Sequence, residues 1–470
     1  MKILVLEAST TAAKAMLYDS SDNSYEVKAE TYKNTYDDVT IHDAENVYQQ
    51  MLAVGRALAE GKDIDIIALS GTWHSLVLCN KDMVPQTPVY LWSYTGAAGV
   101  CKELRKDKEY VKNFYKKTGC MVNAIYPFFK LLHLQRQGYD LKDYYILGQG
   151  TYNNYRMTGQ RVITHCLASG TGLLNIQTKE FDKELLAALG IKEEQLSMLV
   201  DYNQTFPLNE EAAAALGVKP GIPVVPTNSD GGLNQVGSGA MEEGVMTFSV
   251  GTSGAIRLTT MQPVMPEEPS TWCYMSPKYW LSGAATNGCC NCIDWFKMRM
   301  FGPNVSYDEI EKGVRDKETT PVFLPFIFGE RCPGWNDERL GGFEDIRPHH
   351  TKYDLYRAVQ EGVLFNLYHC YTILTKVNGV PNKIKLSGGI LNSQEWTQMC
   401  ADIFQAEMEI DNSKHASLLG GAVLAMEILG VIKDVKDFNF GQSKVIRPNP
   451  DMTKLYQEKF ERYLKYYYMS

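Results

Sequence analysis

One local plan is written twice in this chain, and it constrains the fold more than any other feature. Residues 2–19 read as an apolar strand, a small hydroxyl-rich turn (Ala8-Ser9-Thr10-Thr11) and a second, alternating stretch through Ala15, Leu17 and Asp19. Far downstream the order returns: Met246-Thr247-Phe248-Ser249-Val250, then Gly251-Thr252-Ser253-Gly254, then Ala255-Ile256-Arg257-Leu258. Each is a β-hairpin signal with an unusual turn. One small module has no use for the unit twice, whereas 470 residues suffice for two lobes that each bury a core.

Around the hairpins the texture is α/β. Val47, Met51, Val54 and Leu58 recur at helical spacing behind the cap residue Asp43, and residues 64–70 read as a buried strand. Leu355, Ala358, Val359 and Val363 mark a long helix, and residues 384–386 a short strand ending in Ser387-Gly388-Gly389. Trp396, Met399, Cys400, Ile403 and Phe404 then share one helical face. Strand, Gly-Gly, helix is a common ligand-binding order. The lobes change near residues 237–244, behind a Pro- and Gly-rich run, which divides the chain into lobes at 1–240 and 241–435 and a helical extension at 436–470.

Charge narrows the function classes. Lys and Arg total 47 against 55 Asp and Glu, a net charge of −8, and no basic run offers a nucleic-acid or anionic-membrane footprint. The apolar stretch at the N-terminus is too short for a signal peptide, and no run approaches the ~18 apolar residues of a spanning helix, so a cytoplasmic protein is expected. Eleven cysteines, an odd number scattered from Cys79 to Cys400, suit reduced thiols. Cys289-Cys290-Asn291-Cys292 holds a CxxC spacing without the second pair that a zinc site needs, and reads as structural thiols.

The common nucleotide and metal motifs are absent: there is no GxxxxGK[ST] loop, no GxGxxG in the right context and no HExxH. What remains is three turns at strand ends, at residues 8–11, 251–254 and 388–389, able to offer N–H groups and hydroxyls to phosphate oxygens. Each alone also fits an ordinary tight turn. Set in a duplicated frame, they follow the logic of an actin-like ATPase. Asp230, in Thr227-Asn228-Ser229-Asp230-Gly231-Gly232 behind an apolar strand, suits a general base facing a cleft; it equally suits an Asx turn capping the next helix. His74 alone reads as a satisfied core histidine, and Trp92 and Trp335 as packing.

The segment Phe323-Leu324-Pro325-Phe326-Ile327-Phe328-Gly329-Glu330-Arg331-Cys332-Pro333-Gly334-Trp335-Asn336 resembles the FLP-GER-P-W stretch of the FGGY carbohydrate kinases, especially their gluconokinase-like and xylulokinase-like members. Ala168-Ser169-Gly170-Thr171-Gly172-Leu173, Tyr126-Pro127 with Lys130-Leu131-Leu132, the run 340–362 and the Gly-Ala-rich stretch 418–425 agree, in order, across nearly the whole chain. The resemblance implies two actin-like (ribonuclease-H-like) lobes with ATP, Mg²⁺ and a sugar between them. By the same likeness Asp230 is the catalytic base at the substrate, and Trp73 and His74 touch the sugar. Thr10, Thr11, Gly251, Thr252, Ser253, Gly388, Gly389, Asn392 and Ser393 serve ATP, and Glu7 serves the metal. The expected partner is a small sugar, sugar acid or polyol, with room left for a homodimer.

Departures from the family pattern accompany the likeness. The family's first turn reads Asp-x-Gly-Thr-Thr, here Glu7-Ala8-Ser9-Thr10-Thr11, and its sugar-facing W-x-D-x-R is Trp92-Ser93-Tyr94-Thr95-Gly96, without carboxylate or guanidinium. Thr164 stands for a common Asp and His133 for a common Trp. The expected activity is ATP-dependent phosphorylation of a carbohydrate hydroxyl, directed away from the usual xylulokinase substrates and toward a sugar acid such as gluconate or another less common polyol or sugar. The alternatives are a nucleotide-binding regulatory protein on this fold that has lost turnover, and a non-kinase actin-like ATPase.

Overall fold

The run Ile3-Leu4-Val5-Leu6 is buried on both faces, as a strand in the middle of a covered sheet must be. The computed structural model, which describes residues 1–314, 318–410, 415–441 and 443–469, places it there. Strand Lys2–Ala8 pairs antiparallel with Ala12–Asp19 and parallel with Ile66–Gly71, and Ser24–Thr31 and Pro223–Ser229 extend the sheet on either side. Helix Ala44–Ala59, capped by the Asp43 carboxylate accepting from the Asn46 N–H at 2.8 Å, is the crossover that parallel pairing requires.

The second hairpin builds the same sheet again. Val245–Val250 pairs antiparallel with Gly254–Thr260 and parallel with Lys383–Ser387, flanked by Trp280–Thr286 and Met408–Ile410. The long helix Lys352–Asn378 precedes the parallel strand. In both sheets a three-residue turn joins the first two strands; the second strand then pairs with Ser24–Thr31 in the first sheet and with Trp280–Thr286 in the second, where Trp272–Met275 is added at the edge. The duplicated plan thus becomes two sheets of one topology.

Helix Ala416–Ile428, late in the chain, packs on Asp230–Gly237 and on strands Lys2–Ala8 and Ile66–Gly71 of the first sheet. Backbones meet there without side chains between them: a Cβ on Gly237 would collide with the Ala416 carbonyl, and one on Gly420 with that of Leu233. The C-terminal helix Thr453–Met469 buries Tyr456, Tyr463 and Tyr467 against the second half. All eleven cysteines are free thiols, and all but Cys290 are buried. No helix among the described residues is long and apolar enough to cross a membrane.

Candidate active site

The first turn leaves Glu7 at the end of its strand, cross-strand from Lys14. Glu7 is 1% exposed, and each of its carboxylate oxygens accepts one protein donor, Lys14 Nζ at 2.8 Å and Ser70 Oγ at 2.8 Å. In the turn itself Ser9 bonds back to Ala12, while Thr10 Oγ1 accepts from Trp92 Nε1 at 3.0 Å. That bond ties Trp92, which sequence alone reads as packing, to the first turn.

Asp230 opens helix Asp230–Gly237, but it does not cap it. Ser229 does, its hydroxyl accepting from the Gly232 N–H at 2.9 Å. Among the described residues the half-buried Asp230 carboxylate accepts only the adjacent Gly231 N–H, at 2.7 Å. Burial, and then the negative charge of Glu7, raise its pKa to about 6, against the pull of Arg257 and Lys14. Both hairpins therefore act on this one carboxylate, Glu7 and Lys14 from the first and Arg257 from the second.

Trp73 forms a wall beside it. Its indole N–H donates to the Cys166 carbonyl at 2.8 Å, and its ring fills the space where a Cβ on Gly231 or Gly170 would stand. His74, with φ +69°, bonds through Nδ1 to the Gly170 carbonyl at 2.6 Å, and burial takes its pKa down to about 3. The imidazole is neutral, its proton on Nδ1 by that bond, which leaves Nε2 as an acceptor. Both rings lie against Tyr274, whose hydroxyl meets that of Tyr126 at 2.6 Å. Lys130, buried and without a carboxylate partner among the described residues, donates to the carbonyls of His74 at 2.7 Å and Leu91 at 2.6 Å, and so pins the segments that carry His74 and Trp92.

The two departures at 94 and 96 are physically one. A Cβ on Gly96 would collide with the Tyr94 ring, which folds back over it and packs on Tyr90 with ring centroids 4.6 Å apart. Thr164 caps its own helix and donates to the Thr227 carbonyl at 2.8 Å.

The second and third turns approach each other closely. Gly388 has φ +101°, and a Cβ there would lie 2.5 Å from the Val250 carbonyl oxygen. Gly251, Thr252, Gly389, Asn392 and Ser393 line one cleft of about 610 Å³, with Cys290, Asp294, Tyr307 and Glu311 on its other walls. Gly388-Gly389 feeds a 3₁₀ turn, Gly389–Asn392, before the helix starts, and Ser393 caps that helix by accepting from the Trp396 N–H at 3.0 Å. Thr10, Thr11, Ser253 and Gly388 lie outside this lining. Lys14, Arg257, Arg331 and the cleft walls from Cys290 to Glu311 escape sequence reading; the one signal for the first two is a basic residue on the second strand of each hairpin.

Models of the FGGY family of carbohydrate kinases match this chain over residues 2–237 for the N-terminal domain and 246–427 for the C-terminal domain. The chain belongs to that family. It is a carbohydrate kinase of two α/β lobes with the ribonuclease-H-like, actin-like ATPase fold, and ATP is its phosphoryl donor. The chain is 27% identical to the gluconokinase of Bacillus subtilis over 92% of its length and 88% of that protein's. It is 23% identical to a xylulose kinase of Staphylococcus epidermidis over 98% of its length and 95% of that protein's. The crystal structure of gluconate kinase from Lactobacillus acidophilus superposes with a TM-score of 0.94 at 28% identity, covering 99% of this chain and 97% of that one.

Proposed function

We propose that this kinase transfers the γ-phosphoryl group of ATP to a hydroxyl of a small sugar, sugar acid or polyol, with Asp230 accepting the hydroxyl proton. The observation that carries the reading is the Asp230 carboxylate itself: free of capping duty, at the convergence of both hairpins, and with a pKa raised to about 6, it is ionised at neutral pH yet basic enough to take a proton. Trp73 and His74 wall the sugar end. Thr10, Thr11, Gly251, Thr252, Ser253, Gly388, Gly389, Asn392 and Ser393 serve the nucleotide. The sugar site and first turn belong to the lobe at 1–240, and the nucleotide cleft to the lobe at 241–435, with 436–470 as its helical extension. Phosphoryl transfer asks chiefly for positioning and charge neutralisation, which two lobes around one cleft supply.

Mg²⁺ fits Glu7 through water. Each Glu7 oxygen keeps a lone pair beyond its protein donor, while the Lys14 ammonium beside it disfavours direct ligation. Among the described residues no group of three or more His, Cys, Asp or Glu side chains can hold a metal, so water and ATP phosphates would provide most ligands, as is usual for this ion. When bound, the ion neutralises phosphate charge.

Replacement of Asp230 by Asn keeps size and removes the proton acceptor. Calorimetry should show ATP binding retained, while turnover falls by at least about 10²-fold. Wild-type turnover in a folded Asp230→Asn protein would overturn the assignment.

A further inference from the structure

Two half-buried arginines near the aromatic residues and Asp230 carry side chains without partners among the described residues. Arg257 follows the second turn on strand Gly254–Thr260, and Arg331 follows Glu330 in the loop that also carries Trp335. The Nε of each is buried and makes no hydrogen bond, and neither guanidinium joins an ion pair among the described residues. Arg257 acts on Asp230, Arg331 acts on His74, both share Tyr274 as a neighbour, and each feels the charge of the other.

The nearby carboxylates do not neutralise them. Glu330 turns away, accepting from the Tyr467 hydroxyl at 2.6 Å and pairing with Arg339 at 3.0 Å, and Glu7 is held by Lys14 and Ser70. Asp230 feels the charge of Arg257 but lies beyond ion-pair distance of it. Two like charges with unpaired buried N–H groups are unfavourable unless an anion completes them. A guanidinium presents a planar fork that matches a carboxylate, and the charge of Arg331 acts on the aromatic residues His74 and Tyr274 rather than on the residues that line the 610 Å³ cleft.

We infer that Arg257 and Arg331 form an anion subsite for the carboxylate of an aldonic acid, which fixes the substrate class as sugar acids and presents a distal hydroxyl to Asp230. The inference rests on the proposed kinase reading and deepens it.

The test measures ADP release with D-gluconate, with its neutral counterpart D-glucitol and with D-xylulose, in the wild type and in Arg257→Gln, Arg331→Gln and Arg331→Lys. The wild type should prefer the aldonate. Each Gln variant should raise KM for gluconate at least about tenfold, the strength of a hydrogen bond to a charged group, and leave KM for ATP within about twofold. Arg331→Lys should recover part of the loss. A wild type that turns over glucitol or xylulose but not gluconate removes this subsite and leaves the kinase reading standing; no ADP with any of the three removes both. Gln variants that keep the gluconate KM, or that lose ATP affinity instead, place the arginines elsewhere, on phosphate in the latter case. The wild-type comparison decides even if a variant fails to fold.

Discussion

Asp230 stands first in its helix and leaves the capping to Ser229, so its carboxylate pays a burial cost that nothing structural requires. Its pKa rises from 3.8 in the unfolded chain to about 6, so the folded state holds a proton through that window and loses stability as pH climbs through it. Above about pH 6 the full cost, about 3 kcal/mol, is present, and Asp230→Asn should unfold at a higher temperature than the wild type there while turning over far less. The acid limb of kcat/KM should fall near pH 6. Because the charge of Glu7 helps to raise Asp230, Glu7→Gln should move that limb to lower pH. An unmoved limb in a pH-rate series would separate Glu7 from the base. At Asp230 the local pattern, a carboxylate between a strand end and two glycines, suits a base and an Asx turn equally, and it is the family resemblance that points to the base. Arg257 and Arg331 were not legible in the sequence, because an arginine's significance lies in which carboxylates surround it, and Glu330 beside Arg331 in sequence points elsewhere in space.

At the level of elements, the hairpins and their turns were readable because alternation and turn chemistry are set by neighbours in sequence. Contacts between turns are not set that way. Gly388 sits against the carbonyl of Val250 in a left-handed conformation, and a Cβ on Gly389 would lie 3.0 Å from Cys290 Sγ at the cleft wall. Gly388→Ala should lower stability by about 1–3 kcal/mol through backbone strain. In Gly389→Val the added methyls must push on Cys290 or enter the cleft, so ATP affinity should weaken about tenfold by calorimetry. Unchanged ATP affinity in a folded Gly389→Val protein would take Gly389 out of the nucleotide site. The same view explains the paired departures at 94 and 96: the Tyr94 ring needs a neighbour with no side chain, a coupling that the two letters alone do not reveal.

At the scale of the molecule, the chain divides in sequence more cleanly than in space. Helix Ala416–Ile428 closes the core over strand Lys2–Ala8, so the first sheet depends on residues that follow the second. The helix was readable as a Gly-Ala-rich stretch, but its partner was not, since backbone-to-backbone packing leaves no side-chain pattern. Gly420→Val should lower stability by about 3 kcal/mol, because its Cβ collides with backbone that cannot yield as a side chain would; thermal unfolding at the wild-type temperature would contradict that packing. The proposed reaction joins both lobes around Asp230. Its most direct measurement is ADP release from ATP and Mg²⁺ across aldonates, ketoses and alditols, run in parallel with wild type and Asp230→Asn. The wild type should release ADP in response to carbohydrate, most with an aldonate, and the folded variant at least about 10²-fold less. Equal rates in the two proteins, or ADP release that no carbohydrate stimulates, would contradict it.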